Sequence, residues 1–449
     1  MKIEKNKLKS RSRYRNHSYR VGQLILLPVV LVLGALFFLY SISYADKNLG
    51  VKGSTNDETK SNDSGEISFI HPIAKEVRFH KTLPTSNGFV SVGTCYLNDE
   101  MKYQLLVVYF DASMIEQWRF EFGGTGDEWA YDVVEDEGFV VVGVSASKEY
   151  GVRGRYDALV LKLDYSGKLS WFRVFGGPDW DRAYKIAKIP NGYAFAGDNY
   201  LKGFDVSSNF GEHDFWVVAI DKKGRKIWDR SFGGLKWDRA YALAFVGERN
   251  LLVIGGSSNS FTNGNRYDSY VVAYDLNGNL VWRLPLVIQN ASVWLTDLRT
   301  SGVYIYAAGY VSEFVQATNG GALRVTTFER AFLAKISFSG KMEYFKVFGQ
   351  NVRLHAFELI ESAENHETFV VAGYKDLPNL KSPWFATITV SLQQKTSQNI
   401  VIAEMEEEKY YGEYFDVQFI PDSQRLLLSG TRLVNGRFLG ILNSRAISE

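Results

Sequence analysis

The sequence predicts an all-β fold: a seven-bladed β-propeller whose last blade is closed by an N-terminal strand, preceded by a signal or anchor helix. Three observations carry this. A short apolar strand ending in glycine recurs seven times along the chain. A turn of the form Asp-x-x-Gly, followed by Trp, recurs between those strands. The last unit lacks its outer strand, and a spare strand precedes the first unit.

The glycine-terminated strands are Phe89–Gly93, Phe139–Gly143, Tyr193–Gly197, Leu251–Gly255, Tyr304–Gly309, Phe369–Gly373 and Leu426–Gly430, with glycine spacings of 50, 54, 58, 54, 64 and 57. A period near fifty residues with several strands per unit marks a radial repeat. Aromatics at 15% with only nine prolines fit ordered β structure.

The chain opens on a basic segment: residues 1–20 carry a formal charge of +7, and residues 21–45 carry none. The net charge of +1 therefore leaves about −6 for the remainder. A mildly acidic domain is a poor nucleic-acid binder, because phosphate neutralisation needs clustered Lys and Arg. The uncharged run Leu24–Tyr40 leads to Ser43-Tyr44-Ala45, small residues at −3 and −1 of a cut after Ala45. This is the layout of a secretory signal, and two outcomes stay open: cleavage after Ala45, or retention of residues 21–40 as a membrane anchor. Either way the rest is expected outside the cytoplasm, in the periplasm, at the cell surface or secreted. The expected divisions are 1–45 signal or anchor, 46–65 flexible polar linker and 66–449 propeller. Cys95 is the lone cysteine and forms no internal disulfide.

The third full unit shows the blade most clearly. Asp238–Val246 reads as strand a, Leu251–Gly255 as b, Asp268–Tyr274 as c, and Asn279–Leu284 as d, with Asp275-Leu-Asn-Gly278 as the c–d turn. The turn recurs as Asp164–Gly167 before Trp171, Asp221–Gly224 before Trp228, and in degenerate form as Ser337–Gly340 before Tyr344. Glycine at the fourth position suits a left-handed backbone, and the recurring indole is expected to pack between blades. Strand d is followed by Phe-Gly-Gly (Phe122–Gly124, Phe175–Gly177, Phe232–Gly234), then by acid-x-Ala-Tyr (Glu128–Tyr131, Asp181–Tyr184, Asp238–Tyr241). After Leu442 the chain ends too soon for a seventh strand d, so Ile67–Ile70 is expected to supply it and remove the free edges.

These motifs resemble the β-propeller repeats of exported bacterial proteins. The Asp-x-x-Gly-x-x-x-Trp portion is also similar to the tryptophan-docking repeat of quinoprotein-type propellers. The likeness covers nearly all of 66–449 and implies a fold more than a function. It implies a binding scaffold. The metal and cofactor residues of quinone dehydrogenases have no match here, so no cofactor and no metal are expected.

The a–b and c–d hairpins are short, whereas the b–c connections read as long loops: Thr94–Tyr103, Val144–Tyr156, Asp198–His213, Gly256–Tyr267 and Tyr310–Arg330. In a propeller the b–c and d–a connections emerge on one face. That face, with the channel mouth, is the expected recognition surface. Its candidate binding residues are Trp129, Trp180, Trp237 and Trp294, as an aromatic platform, and Glu128, Asp181 and Asp238, as a ring of carboxylates. The bland alternatives are inter-blade packing for the indoles and turn-closing hydrogen bonds for the acids. No catalytic residue is assigned: Gly-x-Ser-x-Gly, Gly-x-x-x-x-Gly-Lys and His-x-x-x-His are all missing from the sequence. The first reading is a non-enzymatic scaffold that binds a protein or glycan partner at the cell envelope. The alternative is a polysaccharide-active hydrolase or lyase using carboxylates at the channel mouth.

Overall fold

A computed structural model describes residues 60–61, 66–69, 71, 73–99, 102–262, 266–319, 322–378, 380–392, 400–407 and 410–446. They fall within one compact unit, Ser54–Glu449. The expected signal or anchor helix and most of the expected linker lie outside the described residues. Among the described residues no helix is long and apolar enough to cross a membrane.

The strands form seven antiparallel sheets, each ordered a-b-c-d from the channel outward. Blade 1 is Glu76–Thr85, Gly88–Asn98, Lys102–Asp111 and Glu116–Phe122. Blade 2 is Glu128–Glu135, Phe139–Ser145, Asp157–Leu163 and Leu169–Phe175. Blade 3 is Arg182–Ile189, Gly192–Tyr200, His213–Asp221 and Lys226–Phe232. Blade 4 is Asp238–Val246, Leu251–Ser258, Asp268–Asp275 and Leu280–Leu286. Blade 5 is Ala291–Ser301, Tyr304–Asn319, Ala322–Ser337 and Met342–Phe348. Blade 6 is Val352–Ser362, His366–Leu377, Leu380–Ser391 and Ile400–Glu407. Blade 7 is Gly412–Ile420, Arg425–Val434 and Arg437–Ala446, with Glu66–Phe69 as its outer strand. Each strand a touches strand a of both neighbours, the seventh touching the first, so the ring is closed.

The closing strand pairs as the sequence predicts: Ile67 opposite Leu442 and Phe69 opposite Gly440. Phe69 then packs at 5.4 Å on Phe79 and 5.9 Å on Phe110 of blade 1. Lys60–Ser61 adds a fifth strand beside Glu66–Phe69, so the sheet begins earlier than the expected boundary at residue 66.

Adjacent blades are bolted by the recurring indole. Each Trp of strand d lies on the turn glycine of the next blade: Trp118 on Gly167, Trp171 on Gly224, Trp228 on Gly278 and Trp282 on Gly340. Those glycines have φ between +76° and +82°, a conformation that a Cβ would strain, and a Cβ would also overlap the indole. Three of the indoles close the bolt by donating Nε1–H to a turn carbonyl: Trp118 to Tyr165 at 3.2 Å, Trp228 to Leu276 at 2.8 Å and Trp282 to Phe338 at 2.9 Å.

The glycine at the heart of the repeat has a different cause. In every blade strand a carries a bulge, and the glycine lies opposite it on strand b. A Cβ at Gly93, Gly143, Gly197, Gly256, Gly309, Gly373 or Gly430 would overlap the carbonyl oxygen of Arg78, Trp129, Arg182, Arg239, Trp294, Arg353 or Glu413 respectively. In blade 4 the structural glycine is therefore Gly256, one residue after the Gly255 that the motif picks out. Gly255 instead accommodates Leu295 and Leu298 of the next blade.

Two of the expected long loops are strands. Thr94–Tyr103 is mostly a hairpin, with Tyr96 opposite Tyr103. Tyr310–Arg330 belongs to a ribbon of two 16-residue strands paired from Tyr304↔Ser337 to Asn319↔Ala322. Its alternation of β-branched and polar residues reads equally as a variable loop, which is why periodicity misassigned it.

Candidate binding face and channel mouth

The bulge turns one extra side chain of each strand a into the channel. These are His80, Tyr131, Tyr184, Tyr241, Thr296, His355 and Phe415. Most meet their neighbours as rings, with centroids 5.3 Å apart for His80–Tyr131, 5.1 Å for Tyr131–Tyr184 and 5.5 Å for Tyr184–Tyr241. Phe415 bridges His80 at 5.2 Å and His355 at 5.6 Å, and Thr296 donates its hydroxyl to Leu354 O at 2.9 Å. Burial pushes the His80 imidazole down to about 4, so His80 is neutral at physiological pH.

The next residue of each strand a forms a charged layer: Lys81, Asp132, Lys185, Ala242, Asp297, Ala356 and Asp416. Lys81 pairs with Asp416 at 2.9 Å, and Lys185 of blade 3 reaches Asp297 of blade 5 at 3.8 Å. Arg299 joins Asp297 at 3.2 Å and Asp416 at 3.6 Å. Side chains thus fill the channel at two consecutive levels.

Two residues before the bulge, on the same side of strand a, lie Arg78, Trp129, Arg182, Arg239, Trp294, Arg353 and Glu413. They ring the mouth on the face where b–c and d–a connections emerge. That the two kinds of connection share this face is seen in the bridges Tyr156↔Trp180 and His213↔Trp237, and in Gly126 N donating to Ser147 Oγ at 2.9 Å.

The four candidate tryptophans fall into two classes. Trp129 and Trp294 occupy the mouth ring. Trp180 and Trp237 lie outside it, and each is enclosed between a ring and a guanidinium. Trp180 has Tyr156 at 4.9 Å and Arg182 at 4.7 Å; Trp237 has His213 at 4.6 Å and Arg239 at 4.4 Å. Trp129 meets Tyr103 at 5.5 Å, and Trp294 is flanked by Tyr267 at 4.2 Å and Tyr310 at 6.1 Å. Of the four, only Trp237 is exposed, at 40%.

The candidate acids are fully buried. Glu128 accepts Gly124 N–H at 2.9 Å and the Ser145 hydroxyl at 2.6 Å; Asp181 accepts Gly177 N–H at 2.7 Å and Tyr200 N–H at 3.2 Å. Asp238 accepts Gly234 N–H at 2.7 Å and the Ser260 hydroxyl at 2.7 Å. They also come in pairs: Asp157 and Asp181 crowd Gly176, and Asp214 and Asp238 crowd Gly233, which leaves no room for a Cβ at either glycine. Burial, reinforced by Asp157, pushes Asp181 up to about 8; burial, reinforced by Asp238, pushes Asp214 up to about 7. In its second and third copies Phe-Gly-Gly is thus the cradle of a buried acid pair, whereas Gly123 of the first copy lies against Gln104.

Sequence reasoning missed Asp198. It is fully buried at the position after the repeat glycine, where the other blades have Thr94, Val144, Ser257, Tyr310, Tyr374 and Thr431. There it accepts His213 Nδ1–H at 2.5 Å and Arg182 Nη1–H at 3.1 Å, and it stands 3.9 Å from Arg239 Nε. Burial works against the charge, yet His213, Arg182 and Arg239 hold the carboxyl below its usual range. The signal was the departure of one unit from its own repeat.

Exposed apolar side chains gather on the same face. Leu201, Phe204 and Phe210 lie on the b–c connection of blade 3, Leu235 and Trp237 on the connection from blade 3 to blade 4, and Phe261 on the b–c connection of blade 4. Leu235 is 81% exposed and Phe204 69%.

At the seam between blades 7 and 1, His71, Cys95 and Glu121 bring donor atoms within 4.8 Å of one another. Both nitrogens of His71 are used: Nδ1 accepts the amides of Ile73 and Ala74 at 3.3 and 3.0 Å, and Nε2 donates to Glu121 at 2.7 Å. Burial pushes the Cys95 thiol up, away from the reactive thiolate. The group latches the closing strand to blade 1.

No protein-family model matches the chain. Regulatory protein FlaEY of Caulobacter vibrioides is 29% identical over 170 residues, a match covering 34% of this chain and 18% of that protein. Among solved structures, the propeller domain of the Trilobed protease from Pyrococcus furiosus is similar at a TM-score of 0.42 and 9% identity, covering 84% of this chain and 97% of that one. Sqt1 from Chaetomium thermophilum is similar at 0.42 and 10%, covering 84% and 97%. An ulvan lyase is similar at 0.46 and 9%, covering 84% and 95%.

Proposed function

We propose that this protein is an exported, non-enzymatic propeller scaffold that binds a protein partner at the cell envelope through its b–c/d–a face. The observation that carries the reading is the cluster of Leu201, Phe204, Phe210, Leu235, Trp237 and Phe261 on the connections of blades 3 and 4. Large exposed apolar side chains on rigidly held loops mark association surfaces. Two further observations favour a scaffold over a polysaccharide-active enzyme. The carboxylates such an enzyme would use are buried and bound to backbone amides. The faces of Trp180 and Trp294, which a pyranose would need, are already covered. The basic and apolar N-terminus supports the envelope location.

The test is affinity capture from envelope fractions with full-length protein and with a Phe204→Ser/Leu235→Ser variant, alongside a glycan array. We expect one partner protein to be captured by the wild type and lost with the variant at unchanged melting temperature. Equal capture by both proteins, or turnover of an arrayed polysaccharide, would refute the reading.

A further inference from the structure

We infer that Arg239, at the channel mouth beside the apolar patch, receives a carboxylate of the protein partner. The inference rests on the scaffold reading and adds the chemistry of the contact. Asp198 stands between the guanidiniums of Arg182 and Arg239, and it is spent on Arg182 and His213. Arg239 is left at 3.9 Å from it, with a buried Nε that meets no acceptor and a side-chain hydrogen bond to Tyr241. The sector made by Arg182, Arg239 and Asp198 therefore carries a surplus positive charge. Elsewhere in the ring Arg353 is held by Glu329, and Arg78 reaches Glu76 through Nη2 at 3.4 Å although its Nε also lacks an acceptor.

Arg239 is also held in place before any ligand arrives. Its guanidinium lies 4.4 Å over the Trp237 ring, and its side chain remains 23% exposed. Stacking fixes the plane of the fork and leaves its rim for two parallel hydrogen bonds, the geometry that a carboxylate matches. The girdle of Tyr184, Tyr241 and their neighbours seals the channel one layer below, so the site is a shallow cup and not a tunnel. Trp237 and Leu235 stand beside it with apolar surface to cover. The ligand that fits is an extended protein segment with an acidic side chain next to an apolar one: the apolar group covers Leu235 and Trp237, and the carboxylate meets Arg239.

The experiment is equilibrium binding of full-length protein to three probes. They are an eight-residue peptide alternating Leu and Glu, its Leu/Gln counterpart, and oligogalacturonate of matched charge. We expect the Leu/Glu peptide to bind, to weaken with added salt, and to lose about tenfold in Arg239→Gln, and severalfold in Arg239→Lys, which keeps the charge but not the fork. Asp198→Asn should move affinity the other way, because it removes the competing anion; damage to the fold would not tighten binding. Equal binding of the Leu/Gln peptide, an unchanged affinity in both Arg239 variants, or binding of oligogalacturonate alone would overturn the inference. Loss of the envelope partner in Phe204→Ser/Leu235→Ser without loss in Arg239→Gln would sink the carboxylate contact and leave the scaffold reading standing.

Discussion

At the scale of single residues, the repeat glycine and the buried acids each make a sharp prediction. Gly197 faces the carbonyl of Arg182 across the bulge, so a methyl group there meets backbone that cannot swing aside. Gly197→Ala should cost about 2–3 kcal/mol, the upper part of the range for overpacking in a dense core, read as a lower urea midpoint at unchanged slope. The acids set the pH dependence. Asp181 and Asp214 titrate near 8 and 7 in the folded chain, well above the ordinary carboxyl value near 4. The folded state therefore holds protons that the unfolded state has released, and stability falls as pH rises through these values. The melting temperature should climb as pH is lowered from about 8 towards 4, the unfolded carboxyl value. Below 6.5 His80 offsets part of the gain: its neutral form is the buried one, and its folded value near 4 lies under the unfolded 6.5, so its contribution is lost on acidification, but one imidazole works against two carboxyls. Calorimetry across pH 4–9 should show a climb towards acid that becomes shallower below 6.5, and Asp181→Asn should flatten it. A stability that rises monotonically to pH 9 would contradict the assignment.

At the scale of elements, the bolt between blades is the feature best foretold. Asp-x-x-Gly and Trp are short, local and chemically specific, so their role follows from spacing alone. The partner does not: Trp228 lies on Gly278 of the following blade, not on the turn that precedes it in its own. Trp228→Ala removes a half-buried indole and its hydrogen bond to Leu276 O. It should destabilise by about 3 kcal/mol, the lower end for truncating a large aromatic, with chemical denaturation as the readout. The bulge was illegible for a plain reason. It is a fact of register between two strands, and although six of the seven residues it turns inward are rings, nothing local in the sequence marks them as bulged. The same applies to Gly255-Gly256, where only pairing with Ala240 decides which glycine faces the bulge. The blade 5 ribbon does not read as strands because Tyr310–Arg330 alternates β-branched and polar residues without marking which stretch pairs with which. The mouth was half legible: Trp129 and Trp294 were found, whereas Arg239 and Asp198 matter through neighbours that come from other parts of the chain.

At the scale of the whole molecule, one short strand decides whether the ring exists as a ring. Glu66–Phe69 covers the edge of Arg437–Ala446, a pairing between residues nearly the full length of the domain apart. Such a contact is formed late and held by packing more than by local propensity. The packing here is specific. Phe69 is buried among Val77, Phe79, Leu106 and Phe110 of blade 1 and Leu442 of blade 7, Arg119 lies 5.4 Å over its ring, and His71 ties the following turn to Glu121 at 2.7 Å. Blade 7 is thus fastened to blade 1 from both its inner and its outer strand. Phe69→Ala should remove about 3 kcal/mol through the cavity it leaves. Phe69→Asp should do more, because a carboxylate cannot enter that cluster, and the closing strand would detach. Detachment bares a ladder of unpaired amides and carbonyls on Arg437–Ala446, the kind of edge that recruits another chain. The expected outcome is therefore a two-part signature in Phe69→Asp: faster proteolysis within blade 7, and concentration-dependent oligomers on gel filtration. Blades 2–4, far from the seam, should keep their hydrogen-exchange protection. If Phe69→Asp stays monomeric with uniform protection, the seam does not hold the ring, and closure must come from the contacts between the inner strands alone.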